Sequence, residues 1–195
     1  MTPGDFHRIL NVLSDMYLTM PTQESLAEWQ AALAAETLTQ VKLLKQSVHD
    51  AKLANGPERE ELQTEFDRLF IEPDAMPCPP WESLYASPDE QIMEEAQESL
   101  IDLYDDAGLD ISASGIPPDH IGAELHFLAL LLERVENGSE EEQEAALELA
   151  DELFEEHLNI WVANFTRDLE QAASAPLYKA LAQSTREVLS LLQET

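Results

Sequence analysis

Two short stretches concentrate the residue types that catalyse or grip. One is Pro117-Pro118-Asp119-His120, with Glu124 and His126 following. The other is Pro79-Pro80-Trp81, preceded by Cys78. A histidine and a carboxylate one helical turn apart begin a metal site, and an Asp-His pair begins acid–base chemistry. Neither goes further. His120 and Glu124 lie one turn apart, but His126 falls on another face of the same helix and no third or fourth ligand is signalled. Di-iron chemistry in a helical bundle needs Glu-x-x-His twice, and the chain contains none. His-Glu-x-x-His, a Gly-rich phosphate loop and a nucleophile-elbow pattern are also missing. Cys78 sits between prolines with no cation close in sequence to depress its pKa, which argues against a reactive thiol. No catalytic constellation stands out, and no metal or cofactor is expected.

The two stretches still admit a structural and a functional reading. Two prolines fix the entry to a helix, and Asp119 suits its first turn, where backbone N–H groups lack partners. It is a cap or a partner for a bound cation. His120 is a hydrogen-bonded structural histidine or a ligand contact, and a helix N-terminus disfavours its charged form, so it is expected neutral at pH 7. Helical spacing places Phe66, Leu69 and Phe70 on one side. They belong to the core, or they form a wall beside which the proline loop sets Trp81.

Charge narrows the class of partner. The chain has 195 residues, 40 Asp and Glu against 10 Lys and Arg, and a net charge of −30. From Leu69 to Glu133 there is no Lys or Arg, while fifteen Asp and Glu fall in the same span. Nucleic-acid binding depends on cations that neutralise phosphates, so this composition excludes that class, and anionic membranes with it. The carboxylates form a solubility device or an acidic rim. Such a rim attracts an Arg by roughly 1 kcal/mol per close pair in water, more where desolvated. One cysteine excludes an intrachain disulfide. No signal-peptide pattern and no long apolar run occurs, so the expectation is a cytoplasmic protein without stable membrane insertion.

The elements that must position these residues read as helices. Hydrophobic residues make up 44% of the chain, enough for a packed core. Phe6, Ile9, Leu10, Leu13, Met16 and Tyr17 follow helical spacing up to Pro21. A second helix is expected over Glu24–Glu36. A third carries Leu38, Val41, Leu44 and Val48 and ends at Asn55-Gly56, read as a C-cap. Pro57 opens a fourth. Residues 71–88 hold five prolines in eighteen positions, which no helix tolerates; Trp81, Leu84 and Tyr85 favour an ordered functional loop. Helix resumes at a Ser87-Pro88-Asp89-Glu90 capping box and ends at Gly108. A second loop at 109–118 leads into an apolar helix through Leu132, with Asn137-Gly138 as its C-cap. Ser139–Glu142 is another capping box, and later helices carry Leu153, Trp161 and, from Pro176, Leu181 and Val188. The expectation is an all-α single domain over residues 1–195, with about nine helices and no strand.

Taken together, the two stretches resemble the signature of the TorD/DmsD/NarJ group of redox-enzyme maturation chaperones. The first block is Arg68-Leu69-Phe70-Ile71-Glu72-Pro73 followed by Pro79-Pro80-Trp81-Glu82-Ser83-Leu84-Tyr85. The second is Pro118-Asp119-His120-Ile121-Gly122-Ala123-Glu124-Leu125. A weaker third is His157-Leu158 with Trp161, Phe165 and Pro176-Leu177-Tyr178. The resemblance implies a TorD-like helical chaperone that binds the twin-arginine signal peptide of a molybdoenzyme catalytic subunit, holds the precursor during cofactor insertion and prevents early export. By the same resemblance Phe66, Leu69, Phe70, Pro80, Trp81, Asp119 and His120 contact the peptide. Glu72, Pro73, Pro79, Glu82, Tyr85, Pro118 and Glu124 support the motif. Asp74 departs from the aromatic residue of some relatives. The family's members are monomers or helix-exchanged dimers. Two other classes fit the residues alone: an acidic interaction protein such as a nucleic-acid mimic, and a helical enzyme of unrecognised type.

Overall fold

The computed structural model describes residues 4–72, 76–86 and 90–194. Its elements are α1 (Gly4–Leu18), α2 (Gln23–Ala35), α3 (Lys42–Leu53), α4 (Gly56–Phe66), α5 (Ser83–Ala86), α6 (Glu90–Asp106), α7 (Ile121–Asn137), α8 (Glu140–Leu153), α9 (Asn159–Ala172) and α10 (Pro176–Gln193). All but the four-residue α5 have eleven residues or more, so nine full helices are present among the described residues, as the periodicity predicts. No strand occurs among them; a single antiparallel bridge joins Trp81 to His120. No helix of the described residues is long and apolar enough to cross a membrane.

The described chain forms two compact units. The first takes residues up to Ser14 and Pro80–Asn164; the second takes Asp15–Pro79 and Phe165–Glu194. In the first, α7 is the central helix. Residues Ile121–Leu125, Phe127–Ala129, Leu131 and Leu132 are all buried, a helix apolar almost all round. Tyr104 of α6 stacks on Phe127 with ring centroids 4.1 Å apart, and its hydroxyl donates to the Ala123 carbonyl at 3.0 Å. The α6 helix ends as the sequence suggests: Gly108 is left-handed (φ 70°), and the Leu109 N–H returns to the Tyr104 carbonyl at 2.8 Å. The α7 helix ends at the expected Asn137-Gly138 cap, and Arg134 in its last turn donates to the Ala107 carbonyl at 2.7 Å.

The second unit packs α2, α3, α4 and α10 around an aromatic cluster. Phe70 lies 5.2 Å from Phe66, 5.7 Å from Tyr17 and 5.9 Å from Tyr178, ring centroid to centroid. Tyr17 lies 5.7 Å from Phe165. The α4 helix leaves the ideal period here. Residues Asp67–Ile71 form a π-turn, closed by the Glu72 N–H on the Asp67 carbonyl at 2.9 Å. Cys78 is buried in this unit, and burial pushes its thiol up to about 12, which agrees with an unreactive cysteine.

The caps split between agreement and correction. Ser139 and Glu142 form the expected box, with Glu142 Oε2 accepting from the Ser139 N–H at 2.8 Å and from its hydroxyl at 2.7 Å. Pro57 and Pro176 stand at helix starts as expected. Asn55-Gly56 is not a C-cap. Asn55 is the N-cap of α4: its Oδ1 accepts from the Glu58 N–H at 3.2 Å, and Glu58 accepts from the Asn55 N–H at 2.9 Å. The turn after α3 is so short that one asparagine starts the next helix instead of ending the last. The capping box expected at Ser87-Pro88-Asp89 lies outside the described residues.

Gly138 closes α7 with an extended backbone (φ −75°, ψ 170°), and its need for glycine is spatial. A Cβ there would lie 2.7 Å from the Arg134 carbonyl oxygen, while one at Gly56 would meet nothing within 4 Å. Gly138→Ala is therefore expected to destabilise the chain by roughly 1 kcal/mol or more. Gly56→Ala should be neutral or stabilise it by about 0.4–1 kcal/mol through the unfolded state. Urea denaturation of both variants checks the contrast.

Candidate functional site

The two proline-led stretches meet within the first unit. Prolines lack an N–H and fix φ, so Pro79-Pro80 and Pro117-Pro118 deliver straight segments to one another. The Glu82 N–H donates to the Asp119 carbonyl at 2.9 Å, and the Ile121 N–H donates to the Pro80 carbonyl at 2.9 Å. Trp81 and His120 lie opposite each other between these bonds. Their rings stand edge to face with centroids 6.1 Å apart. Pro80 and Asp119 are buried, and Trp81 is half-buried.

His120 is the N-cap of α7. Its Nδ1 accepts from the Gly122 N–H at 3.0 Å, so the ring proton sits on Nε2. Burial pushes its pKa down to about 4, against a smaller opposing pull from the Asp119 charge. The imidazole is neutral at pH 7, as expected, but the cause is burial rather than the helix terminus. Nε2–H is a donor with no partner among the described residues. The indole Nε1–H of Trp81 is buried and has no partner among the described residues. An unmet buried donor costs about 1–3 kcal/mol; the Trp81 Nε1–H is one, and with the His120 Nε2–H beside it the loop pair is a place where an acceptor gains.

Asp119 is fully buried and both carboxylate oxygens are engaged. Oδ2 accepts from the Ser83 N–H at 3.3 Å and Oδ1 from the Gln97 amide of α6 at 3.0 Å. It clamps the start of α5 to the loop before α7. Below it lies a layer of buried polar groups. Glu82 Oε2 pairs with His157 Nδ1 at 2.9 Å, both almost fully enclosed, and the other ring nitrogen of His157 meets Ser99 at 3.4 Å. Glu124, also fully buried, accepts from the Trp161 indole at 3.3 Å through Oε2, while Oε1 has no partner. Burial, reinforced by the Glu82 charge, raises the Glu124 pKa well above the usual carboxylate range. Tyr85 packs on Trp161 with centroids 5.7 Å apart.

The predicted residues therefore fall into three groups. Pro80, Trp81, Asp119 and His120 come together, with Glu82, Tyr85 and Glu124 packed beside them and Pro79 and Pro118 half-buried at the loop entries. Phe66, Leu69 and Phe70 belong to the second unit, where they are 2%, 0% and 3% exposed in its core and offer no surface to a ligand in this conformation. Glu72 is exposed. Pro73 and Asp74 lie outside the described residues. His126 bonds to Asn11 at 2.8 Å and Glu124 faces Trp161, so with His120 they do not converge on a metal. Sequence reasoning misses Gln97 and the pairing of His157 with Glu82. No spacing signals a bond between residues 75 apart.

Residues 18–167 match the family model described as the nitrate reductase delta subunit, and the chain belongs to that family. The chain is 30% identical over 169 residues to the Tat proofreading chaperone DmsD of Salmonella typhi, covering 85% of this chain and 74% of that one. It is 25% identical over 190 residues to the chaperone protein YcdY of Escherichia coli strain K12, covering 97% and 94%. A solved structure from Archaeoglobus fulgidus, assigned to redox enzyme maturation, superposes with a TM-score of 0.58 at 23% identity, over 93% of each chain, and so shares the fold. This NarJ/TorD-type family is the one that the Trp81 and His120 blocks resemble. The chain is a system-specific chaperone of redox-enzyme maturation, not an enzyme.

Two pH effects of opposite sign follow from the buried groups. The His120 pKa is depressed, so the unfolded chain binds the extra proton first; stability is full above about 6.5 and falls as pH drops toward 4. The Glu124 pKa is raised, so the native state keeps its proton longer; stability falls as pH climbs above about 4.5, where an ordinary glutamate ionises. Accordingly, the His120 imidazole should show no NMR titration between pH 5 and 8. Glu124→Gln should match the parent chain near pH 4.5 and exceed it at pH 8 in thermal melts.

Proposed function

We propose that the chain is a cytoplasmic chaperone that holds the twin-arginine signal peptide of a molybdoenzyme precursor at the Trp81–His120 loop pair until cofactor insertion is complete. The observation that carries the reading is the pair of unspent ring donors, Trp81 Nε1–H and His120 Nε2–H, beside a half-exposed indole. An extended peptide presents backbone carbonyls to such donors and apolar side chains to the ring. The absence of any Lys or Arg from Leu69 to Glu133 suits the arginines of such a leader. Asp119 meets one of these arginines only if the guanidinium takes the place of the Gln97 amide on Oδ1, a charge-assisted bond replacing a neutral donor. Otherwise Asp119 acts by holding the loops in register. Phe66, Leu69 and Phe70 have no contact role in this reading.

Calorimetric titration with a synthetic twin-arginine leader tests it. Trp81→Ala should weaken binding by about tenfold or more, as anchor aromatics do. Trp81→Phe, which keeps a ring but loses the N–H, should fall between. Affinity should drop with added salt. If Trp81→Ala and Asp119→Asn both leave the dissociation constant where it was, the assignment is wrong.

A further inference from the structure

The second unit contains a groove that none of the site residues above touches. It lies between the end of α3, the length of α4 and the start of α10, with a cavity of about 420 Å³. Ala51, Ala54, Leu62 and Leu177 form its apolar floor. Asp50, Glu58, Glu61 and Glu65 stand around it, and no Lys or Arg lines it. We propose that this groove docks a polypeptide segment in which a cationic side chain lies next to an apolar one.

The carboxylates divide by what they already do. Glu65 belongs to the fold: it accepts from the N–H groups of Ser174 and Ala175 at the start of α10 and pairs with Arg68 at 3.2 Å. Glu58 closes the α4 capping box. Asp50 and Glu61 remain. Among the described residues Asp50 takes only the exposed amide of Gln46, and Glu61 has no partner. These two stand on different helices across the apolar floor. The α3 wall continues upward: Leu43, Ser47, Asp50 and Ala54 share a face at spacings of four, three and four, and Leu43 is 55% exposed. One wall thus carries a bare leucine two turns from a carboxylate. Beyond Glu61 the groove opens toward Glu60 and Arg68, where Arg68 is already held by Glu65 and by the Ala172 carbonyl at 3.0 Å.

Charge selects the occupant. A second copy of this chain, a nucleic acid and an anionic lipid each bring negative charge to a chain of −30. A basic peptide with apolar neighbours brings the complement of both rim and floor. The inference does not rest on the Trp81–His120 reading, since the groove lies within the other unit and shares no residue with it.

The probe is a decapeptide with two arginines followed by two leucines and a benzophenone group, beside a version with serine at both leucine positions. Photo-crosslinks should map by mass spectrometry to residues 43–65 and 174–177. Asp50→Asn with Glu61→Gln should weaken binding about five- to tenfold, and the serine peptide should bind at least about tenfold more weakly. Ala54→Trp fills the floor and leaves every charge, so it should block binding while thermal melts confirm the fold. Crosslinks confined to residues 80–85 and 117–125 would overturn the groove and leave the other site standing. Equal binding of the serine and leucine peptides, or no loss in the variants, would reduce the groove to general acidic attraction and overturn it too.

Discussion

The candidate site in the first unit depends on one short backbone exchange: Glu82 N–H to the Asp119 carbonyl, and Ile121 N–H to the Pro80 carbonyl. These two bonds put Trp81 opposite His120. They form because the residues on either side cannot do otherwise. Four prolines keep both segments out of helix, and Pro80, with no N–H to donate, takes part through its carbonyl alone. Asp119 then ties the pair to α5 and α6 through its side chain, and His120 ties it to α7 by capping the helix. A loop pair fixed at so many points presents an indole and an imidazole with little freedom left to lose on binding, the condition under which such rings bind well.

That rigidity rests on an expensive layer. Glu82, Asp119, Glu124, His120 and His157 are all buried in one helical unit. Each is handled differently. Glu82 is paired with His157, Asp119 is saturated by an amide and a backbone N–H, His120 is held neutral as a cap, and Glu124 is pushed toward its protonated form. Burying a lone charge is prohibitive, so a set of this kind persists only when each member finds a partner or gives up its charge. The groups left over, Trp81 Nε1 and Glu124 Oε1, are the exceptions. Trp81 is the one at the loop surface, where a ligand has most to offer it.

The chain's charge works at longer range. With forty acidic residues against ten basic ones, the surface repels its own copies and draws basic segments in. Under the proposed function that field would steer a cationic leader before any contact forms. Apolar concavities then decide where it stops. Charge alone selects a class of partner, while the burial of an aromatic or aliphatic side chain fixes a register.

Much of the fold was legible in sequence. Apolar residues at three- and four-residue spacing set the helices, since each must bury one stripe. Proline and capping residues set most boundaries, because their effects act within a turn. That Pro80, Trp81, Asp119 and His120 belong to two related motifs was legible from type and order; that they meet is a finding of the fold. What sequence left undecided was long-range or register-dependent. The π-turn at Asp67–Ile71 inserts an extra residue per turn and carries Phe70 into an aromatic core rather than a ligand wall, and no local propensity announces it. Asn55 favours either end of a helix, and only the brief turn after α3 made it a beginning. The pairing of Glu82 with His157, and the protonation that burial imposes on Glu124, arise from an enclosure that forms only when distant helices pack. Local physics wrote the elements and their punctuation; tertiary packing decided which polar groups were sealed in and which two rings were left with a hydrogen to give.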